Sequence, residues 1–270
     1  MLRLPAKPIR RHWTRLAIVL ALLGLAAATA YAFLVEPRWI EVTRHSLLGS
    51  VTRPLRIAHI SDLHTHGFGP LEREIVMLVR LQNPDLIVVT GDTVDQGSLA
   101  PARDLFANLS APLGVWIVRG NWERWTVQES ERAFYTSIGA HFLDNEGAEA
   151  RDDLWIAGLD DAASGRPDLS KALVGAPTAA FKLVLMHAPD YFKDIAGRFD
   201  LALAGHTHGG QISAPGYGPL WLPPGGHHYV RGWFTLNRSN LFVSRGLGTS
   251  IVRARFLARP ELAIIDIRPQ

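Results

Sequence analysis

The 270-residue chain contains no cysteine. That excludes disulfides, thiolate zinc sites and a cysteine nucleophile; it leaves the redox compartment open, because a chain without thiols is at ease in an oxidising one too. Charge of one sign is missing locally: residues 1–15 hold no acid, while Arg3, Lys7, Arg10, Arg11 and Arg15 supply five of the 28 cations. The rest of the chain carries 23 cations against 25 acids, a formal charge of −2. The sequence pI of about 9.4 is therefore a property of the tail. A net-acidic body speaks against a general nucleic-acid binder, whose affinity comes from neutralising phosphates. Internal repeats are absent too, and low-complexity sequence is confined to one apolar run. Length and an ordinary apolar content fit one large domain with a small appendage.

That apolar run covers residues 16–35, LAIVLALLGLAAATAYAFLV, 20 residues without a charge. At about 1.5 Å per residue it spans roughly 30 Å, the hydrocarbon thickness of a bilayer. Uncharged all round and flanked by cations, it reads as a transmembrane anchor rather than a buried core helix. The cation excess before it places residues 1–15 in the cytoplasm and the rest on the outer, periplasmic side of an inner membrane. Arg10-Arg11-His12-Trp13-Thr14-Arg15 also resembles a twin-arginine export signal, with Trp13 where Phe is usual; the alternative is that the arginines are flanking anchors. Small residues at Ala26–Ala28, Ala30 and Ala32 permit cleavage, whereas the length of the run favours an uncleaved anchor. The expected organisation is a basic tail (1–15), an anchor (16–35), a linker (36–54) and a folded domain (55–268).

Apolar β-type runs alternate with helical patterns from residue 55 onward. Strands are expected at 55–60, 86–90, 115–119, 154–157, 183–186, 201–204, 241–244, 251–256 and 262–267. Helices are expected at 71–82, ended by Asn83-Pro84-Asp85, and at 101–109 and 126–138. This order indicates an α/β domain with two sheets. A loop over residues 216–233, rich in Gly, Pro and aromatics, reads either as a packed surface loop or as a substrate or membrane-facing rim carrying Leu220, Trp221, Leu222 and Trp233.

Polar residues follow five of those strands directly. Asp62 and His64 follow the first, Asp92 the second, Asn121 the third, His187 the run at 183–186, and His206 and His208 the run at 201–204. Ligands of α/β sheets bind beyond the carboxyl ends of strands. In extended chain, residues i and i+2 face the same way, so Asp62 with His64, and His206 with His208, are expected to face one cavity. Gly91, Gly120 and Gly205 beside them allow sharp turns. Imidazole, carboxylate and amide oxygen suit Mn, Fe or Zn ions, and seven ligands exceed the need of one ion. A pair of divalent metal ions sharing a bridging aspartate is the economical reading.

Taken together, these motifs resemble those of the calcineurin-like metallophosphoesterases, D-x-H, G-D, G-N-H-[DE], H and G-H-x-H, over about residues 55–268. GHTHGGQI, SRGLGTS and Arg255-Phe256 resemble the bacterial branch with an N-terminal membrane segment, related to enzymes that cleave the pyrophosphate of UDP-2,3-diacylglucosamine in lipid A biosynthesis. The resemblance implies a four-layer αββα sandwich. It further implies that Asp62, His64 and His208 hold one metal, that Asn121, His187 and His206 hold a second, and that Asp92 bridges them. The implied activity is dimetal hydrolysis of a phosphodiester or pyrophosphate, on a phosphorylated small molecule or a lipid at the membrane. An alternative is a metal-stabilised, membrane-anchored binding protein of weak activity.

The chain departs from the pattern once: Trp122 stands where the family has His after Asn121. An indole offers one N–H donor and nothing that titrates near neutral pH. The expectation is a leaving group that needs little protonation, or another donor among His66, His227 and His228. Asp95 reads as a ligand-orienting or turn residue, Glu123 as a local cap or partner, and Arg255 as a surface salt-bridge residue in preference to a contact for a substrate phosphate. A lipid A precursor lies on the cytoplasmic leaflet, whereas the charge rule puts the domain outside; a domain outside favours other phospholipids or cell-wall phosphates as substrates.

Overall fold

A computed structural model describes residues 9–270 apart from Gln96 and Gln128. Arg3 and Lys7 of the basic tail lie outside the described residues, as do the side chains of Arg10, Arg11 and His12, on which the export-signal reading rests. In chain order the elements are α1 (Ile9–Ala30), β1 (Glu41–Gly49), β2 (Leu55–Ile60), α2 (Pro70–Gln82), β3 (Leu86–Thr90), α3 (Arg103–Ala107), β4 (Val115–Val118), α4 (Asn121–Thr126), α5 (Glu131–Ser137), β5 (His141–Phe142), β6 (Glu146–Arg151), β7 (Leu154–Gly158), α6 (Leu169–Ala172), β8 (Phe181–Leu185), α7 (Phe192–Ile195), β9 (Leu201–Ala204), β10 (Ser213–Ala214), β11 (Gly218–Pro219), β12 (Gly232–Leu236), β13 (Ser239–Val243) and β14 (Glu261–Pro269).

Two six-stranded sheets result, in the orders β1-β14-β2-β3-β4-β5 and β12-β13-β9-β8-β7-β6. Strands β2 to β5 run parallel, as do β7, β8, β9 and β13. The period of two within each strand decides the layering. Leu55 and Ile57 of β2, Leu86 and Val88 of β3, Leu183 and Leu185 of β8, and Leu201 and Leu203 of β9 meet in one core between the sheets. The alternate residues, such as Ala58, Ile60, Ile87 and Val89, face outward against Ile75 and Val79 of α2, Phe106 of α3 and Phe134 of α5. Val184, Ala202 and Ala204 pack likewise on Leu169 of α6 and on Phe192 and Ile195 of α7. These are the four layers α-β-β-α. Both faces of the central strands are buried, so they read as unbroken apolar runs rather than alternating ones.

Several local expectations differ from the structure. Residues 36–54 are not merely a linker: β1 pairs in parallel with β14 over nine registered positions, Glu41↔Glu261 to Gly49↔Pro269, and covers the edge that β14 would otherwise leave open. Its alternation of half-buried and exposed residues carries few apolar ones, which hid it. The helix expected at 126–138 starts later, as α5, capped by Ser130 accepting from the N–H of Ala133, while Thr126 ends the separate short helix α4. The helix expected at 101–109 is a 3₁₀ turn, Ala100–Ala102, leading into α3. Residues 251–256 form no strand. Gln211 ties the segment down instead: its Nε2 donates to the carbonyls of Ser250 and Val252, its Oε1 accepts the N–H of Ser250, and its backbone carbonyl accepts the N–H of Phe256.

The N-terminal helix continues past α1 through a π turn, Tyr31–Val35, and a 3₁₀ turn, Glu36–Arg38. The apolar helical stretch runs 26 residues, Trp13–Arg38, long enough to cross a membrane, and its most apolar 18-residue window has no residue buried by the rest of the protein. Its far end is fixed to the domain. The carbonyl of Ala32 accepts the N–H of Arg255, and the buried Glu36 carboxylate accepts the N–H groups of Leu257 and Ala258 at 3.0 and 2.6 Å. Beyond it, Trp39 lies under the Arg259 guanidinium, 4.0 Å from its ring centre.

Candidate metal centre

All seven residues singled out in the sequence lie just beyond the carboxyl ends of parallel strands. Asp62, His64, Asp92 and Asn121 come from the sheet of β2, β3 and β4; His187, His206 and His208 come from that of β8 and β9. The site thus straddles the shared edge of both sheets. All seven are buried. The side chains converge for a different reason from the expected extended geometry. Asp62, His64, Asp92, His206 and His208 have φ of 52°, 45°, 52°, 72° and 51°, in the left-handed region. Positive φ in residues with a Cβ costs energy, and such strain gathers where function over-determines the backbone.

Two groups form. Asp62, His64 and His208 offer ligand atoms within 4.8 Å of one another, and so do Asp92, His187 and His206. In the second group, His187 Nδ1 is 2.7 Å from the Thr90 carbonyl and His206 Nε2 is 2.9 Å from that of Pro224. A carbonyl only accepts, so those nitrogens carry the protons, and His187 Nε2 and His206 Nδ1 are left with lone pairs. These two atoms lie 3.0 Å apart. Asn121 Oδ1 is 3.1 Å and Asp92 Oδ2 3.2 Å from His187 Nε2. Four electron-pair donors therefore face one point. Ligands bound at about 2.0–2.2 Å to one ion stand about 3 Å apart, so this set fits a divalent cation. In the first group, His64 Nε2 and His208 Nε2 are 3.1 Å apart and Asp62 Oδ1 is 3.6 Å from His208 Nε2. Asp92 Oδ2 also comes within 3.8 Å of His64 Nε2, which places that carboxylate oxygen near both groups.

The electrostatics agree with that chemistry. Burial holds His64 down at about 4, and burial with the neighbouring His64 and Arg255 holds His208 well below the usual histidine range. Burial, then His187, lowers His206. Neutral imidazoles are what a metal requires. His187 goes the other way: against its burial, Asp92 raises it well above the usual value. Burial raises Asp62, to about 6. The carboxylates thus call for positive charge among them, and a proton on His187 supplies it where a cation would serve better.

Surrounding residues fix this arrangement. Glu123 caps α4 by accepting the N–H of Gly120 at 2.8 Å, and also accepts the N–H of Asp92 at 2.9 Å and that of Thr93. Burial, then Asp92, push Glu123 up to about 7. A Cβ on Gly205 would run into Ser61 Oγ and the Asp62 carboxylate, so only glycine lets the two turns approach. Arg255 is corrected from a surface residue to a fully buried one. Its guanidinium donates to the carbonyls of Gly248 and Ala258 and sits 3.4 Å from the carbonyl and Nδ1 of His208. Charge alone suggested a surface arginine; a ring of backbone carbonyls, invisible in the sequence, holds it inside.

A cavity of about 540 Å³ opens from the centre. Asp92, Asn121, His206 and His208 form its floor, and Trp122, Trp125, Leu220, Trp221, Ile251 and Val252 its walls. Trp122 stands edge-on to His64, ring centres 5.9 Å apart. Part of the loop at 216–233 therefore borders the site. His66, His227 and His228 do not line the cavity. His228 is exposed, and the Asp190 carboxylate accepts the N–H groups of His227 and His228 at 2.9 Å. His66 faces Asp95 at 3.6 Å and Arg253. Sequence reasoning missed Ile251 and Val252 as cavity residues, having placed them in a strand.

The family model for calcineurin-like phosphoesterases matches residues 55–210. The chain is 30% identical to the uncharacterized metallophosphoesterase YkuE of Bacillus subtilis over 268 residues, 93% of this chain and 94% of that one. It is 28% identical to the phosphodiesterase YaeI of Escherichia coli, covering 92% and 95% of the two chains. It is 31% identical to a transmembrane protein with a metallophosphoesterase domain from Danio rerio, covering 93% of this chain and 60% of that one.

Proposed function

Because the chain belongs to the calcineurin-like phosphoesterase family, we propose that it hydrolyses phosphodiester or pyrophosphate bonds of lipid-linked substrates, held to a membrane by its N-terminal helix. The observation that carries this reading is the convergence of seven buried donors, four of which form the floor of an apolar-walled cavity. Asp62, His64 and His208 would hold one divalent ion, Asn121, His187 and His206 a second, and the Asp92 carboxylate would serve both. Ions so bound supply a water acidified for nucleophilic attack and positive charge for the phosphoryl oxygens. Thr90 and Pro224 fix the tautomers of His187 and His206, keeping their lone pairs on the site. Among the described residues that line the cavity, only Asp92, His206 and His208 carry a titratable group. Trp122 excludes water from that side without donating an acid proton. The substrate is therefore one whose leaving group departs as a stable anion, such as a nucleotide or sugar phosphate.

The apolar walls support a substrate with acyl or aryl bulk beside its phosphate. The cation excess of residues 1–15 supports a domain on the outer face of the inner membrane, where lipid-linked phosphates other than UDP-2,3-diacylglucosamine are within reach. The test is the full chain loaded with Mn²⁺ and assayed on bis-aryl phosphate, an alkyl phosphodiester and UDP-2,3-diacylglucosamine, with Asp92→Ala as control. Metal-dependent turnover lost in the control is expected. Protein that binds metal by elemental analysis yet is inert on all three would favour a binding protein, the reading that Trp122 in place of histidine suggests.

A further inference from the structure

The walls of the cavity end in a rim that no part of the described residues covers. Trp125, Leu220, Trp221 and Ile251 are 64%, 60%, 62% and 78% exposed. Large exposed apolar patches mark contact surfaces. Ile251 is presented outward by a backbone at φ 62°, a conformation rare for a β-branched residue, and Gln211 grips Ser250 and Val252 on either side of it. The outward display of Ile251 is thus built in.

This rim is continuous with the end of the apolar helix. The segment that carries Ile251 and Val252 runs on to Arg255, Leu257 and Ala258, whose N–H groups bond to Ala32 and Glu36. Phe256 meets Tyr31 edge-on, ring centres 6.2 Å apart. Leu257, whose N–H bonds to Glu36, is exposed at that junction, and Phe33, Leu34 and Val35 of the helix are exposed as well. Two exposed arginines flank it: Arg253 in the same segment, and Arg231, which donates to the Leu257 carbonyl. Tryptophan with arginine is the pairing that suits the headgroup zone of an anionic bilayer.

We propose that Trp125, Leu220, Trp221, Ile251 and Val252 seat on the surface of the bilayer that the N-terminal helix enters, so that the cavity opens into the headgroup layer. The proposal rests on reading that helix as a membrane span; it does not depend on the reaction catalysed. The chain's lack of cysteine makes the test clean. Ile251→Cys, Leu220→Cys, Leu22→Cys and Val174→Cys are each spin-labelled in the full chain, in nanodiscs of phosphatidylethanolamine and phosphatidylglycerol. All four positions are at least 60% exposed, so the fold tolerates them. Collisions with oxygen, which partitions into lipid, are compared with those of a water-soluble nickel chelate. Labels at 22, 251 and 220 are expected to gain oxygen and lose nickel collisions relative to 174. Lipid contact at 22 with water contact at 251 and 220 overturns the docking alone. Water contact at 22 overturns the anchor and the docking together. Labels at 251 and 220 shielded from both reagents would replace the bilayer with a protein partner and overturn the proposal. None of these readouts uses catalysis, so an inactive but docked protein is told apart from an undocked one.

Discussion

Asp92 and Glu123 fasten each other's turns: the N–H of Asp92 donates to Glu123 Oε2 at 2.9 Å, while Asp92 Oδ1 accepts, also at 2.9 Å, the N–H of Trp122 next to Glu123. The carboxylate proposed to serve both ions is thus locked to the helix that presents Asn121. Glu123→Gln replaces one accepting oxygen with a donor facing backbone donors. It is expected to weaken metal affinity by about 10–100-fold and to lower stability by roughly 1–3 kcal/mol. Titration with Mn²⁺ and chemical denaturation of the same variant check both; unchanged metal affinity would reduce Glu123 to a helix cap.

Gly205→Ala puts a methyl group against Ser61 Oγ and the Asp62 carboxylate. Overpacking of this kind costs roughly 1–3 kcal/mol, and the displaced carboxylate is expected to lose metal. Gly24→Ala, where an added Cβ meets nothing within 4 Å, is the matched control. Metal content and Tm of the two variants should differ from each other, and the control should match the wild type.

Trp122→His restores a proton donor beside the site. Rates on an alkyl phosphodiester, whose leaving group needs a proton, are expected to rise by about 10²–10⁴-fold. Rates on an aryl diester should change little. An equal rise on both substrates would contradict the proposal that the native leaving group departs unaided.

Stability should fall with acid through His59. This imidazole is fully buried between the sheets, 2.8 Å from Thr90 Oγ1, and burial holds its pKa down at about 3. Its pKa in the unfolded chain is about 6.5. Between those values the unfolded state binds the extra proton, so the group's contribution is intact above about pH 6.5 and declines as pH falls towards 3. The slope is about 1.4 kcal/mol per pH unit. Urea unfolding of the wild type and His59→Gln from pH 7.5 to 5 is expected to give curves that converge as pH falls. Parallel curves would remove His59 from the account.

The parts of this molecule that were legible in the sequence are those that depend on burial and on chain order. Ile57, Val88, Leu185 and Leu203 announce buried strands because each lies in a run apolar on both faces. The polar residues that follow such runs must lie at the sheet edge, which is why Asp62, Asp92, His187 and His206 stand out. What stayed hidden depends on long-range backbone partners. Arg44, Ser46 and Leu48 point outward in β1, so its pairing with β14 leaves a weak pattern. Arg255 is buried by carbonyls up to 47 positions away. The left-handed turns at His64 and His208 replace the extended geometry that the D-x-H and H-x-H spacings suggested. Ile251 looked like a strand residue because its β-branched type favours one, yet Gln211 had already taken the neighbouring hydrogen bonds.

Only Trp39 and Ile40 separate the end of the helical stretch at Arg38 from β1 at Glu41, and Ile40 is already part of the core. There is no slack in that join. With α1 in a bilayer, the domain is a post of fixed height rather than a ball on a string. On the proposed reading it would find substrate by drifting sideways with the lipid, and a phosphate carried on a long stalk above the surface would pass out of its reach. Lengthening the join by a few flexible residues would trade that planar search for a looser one in depth.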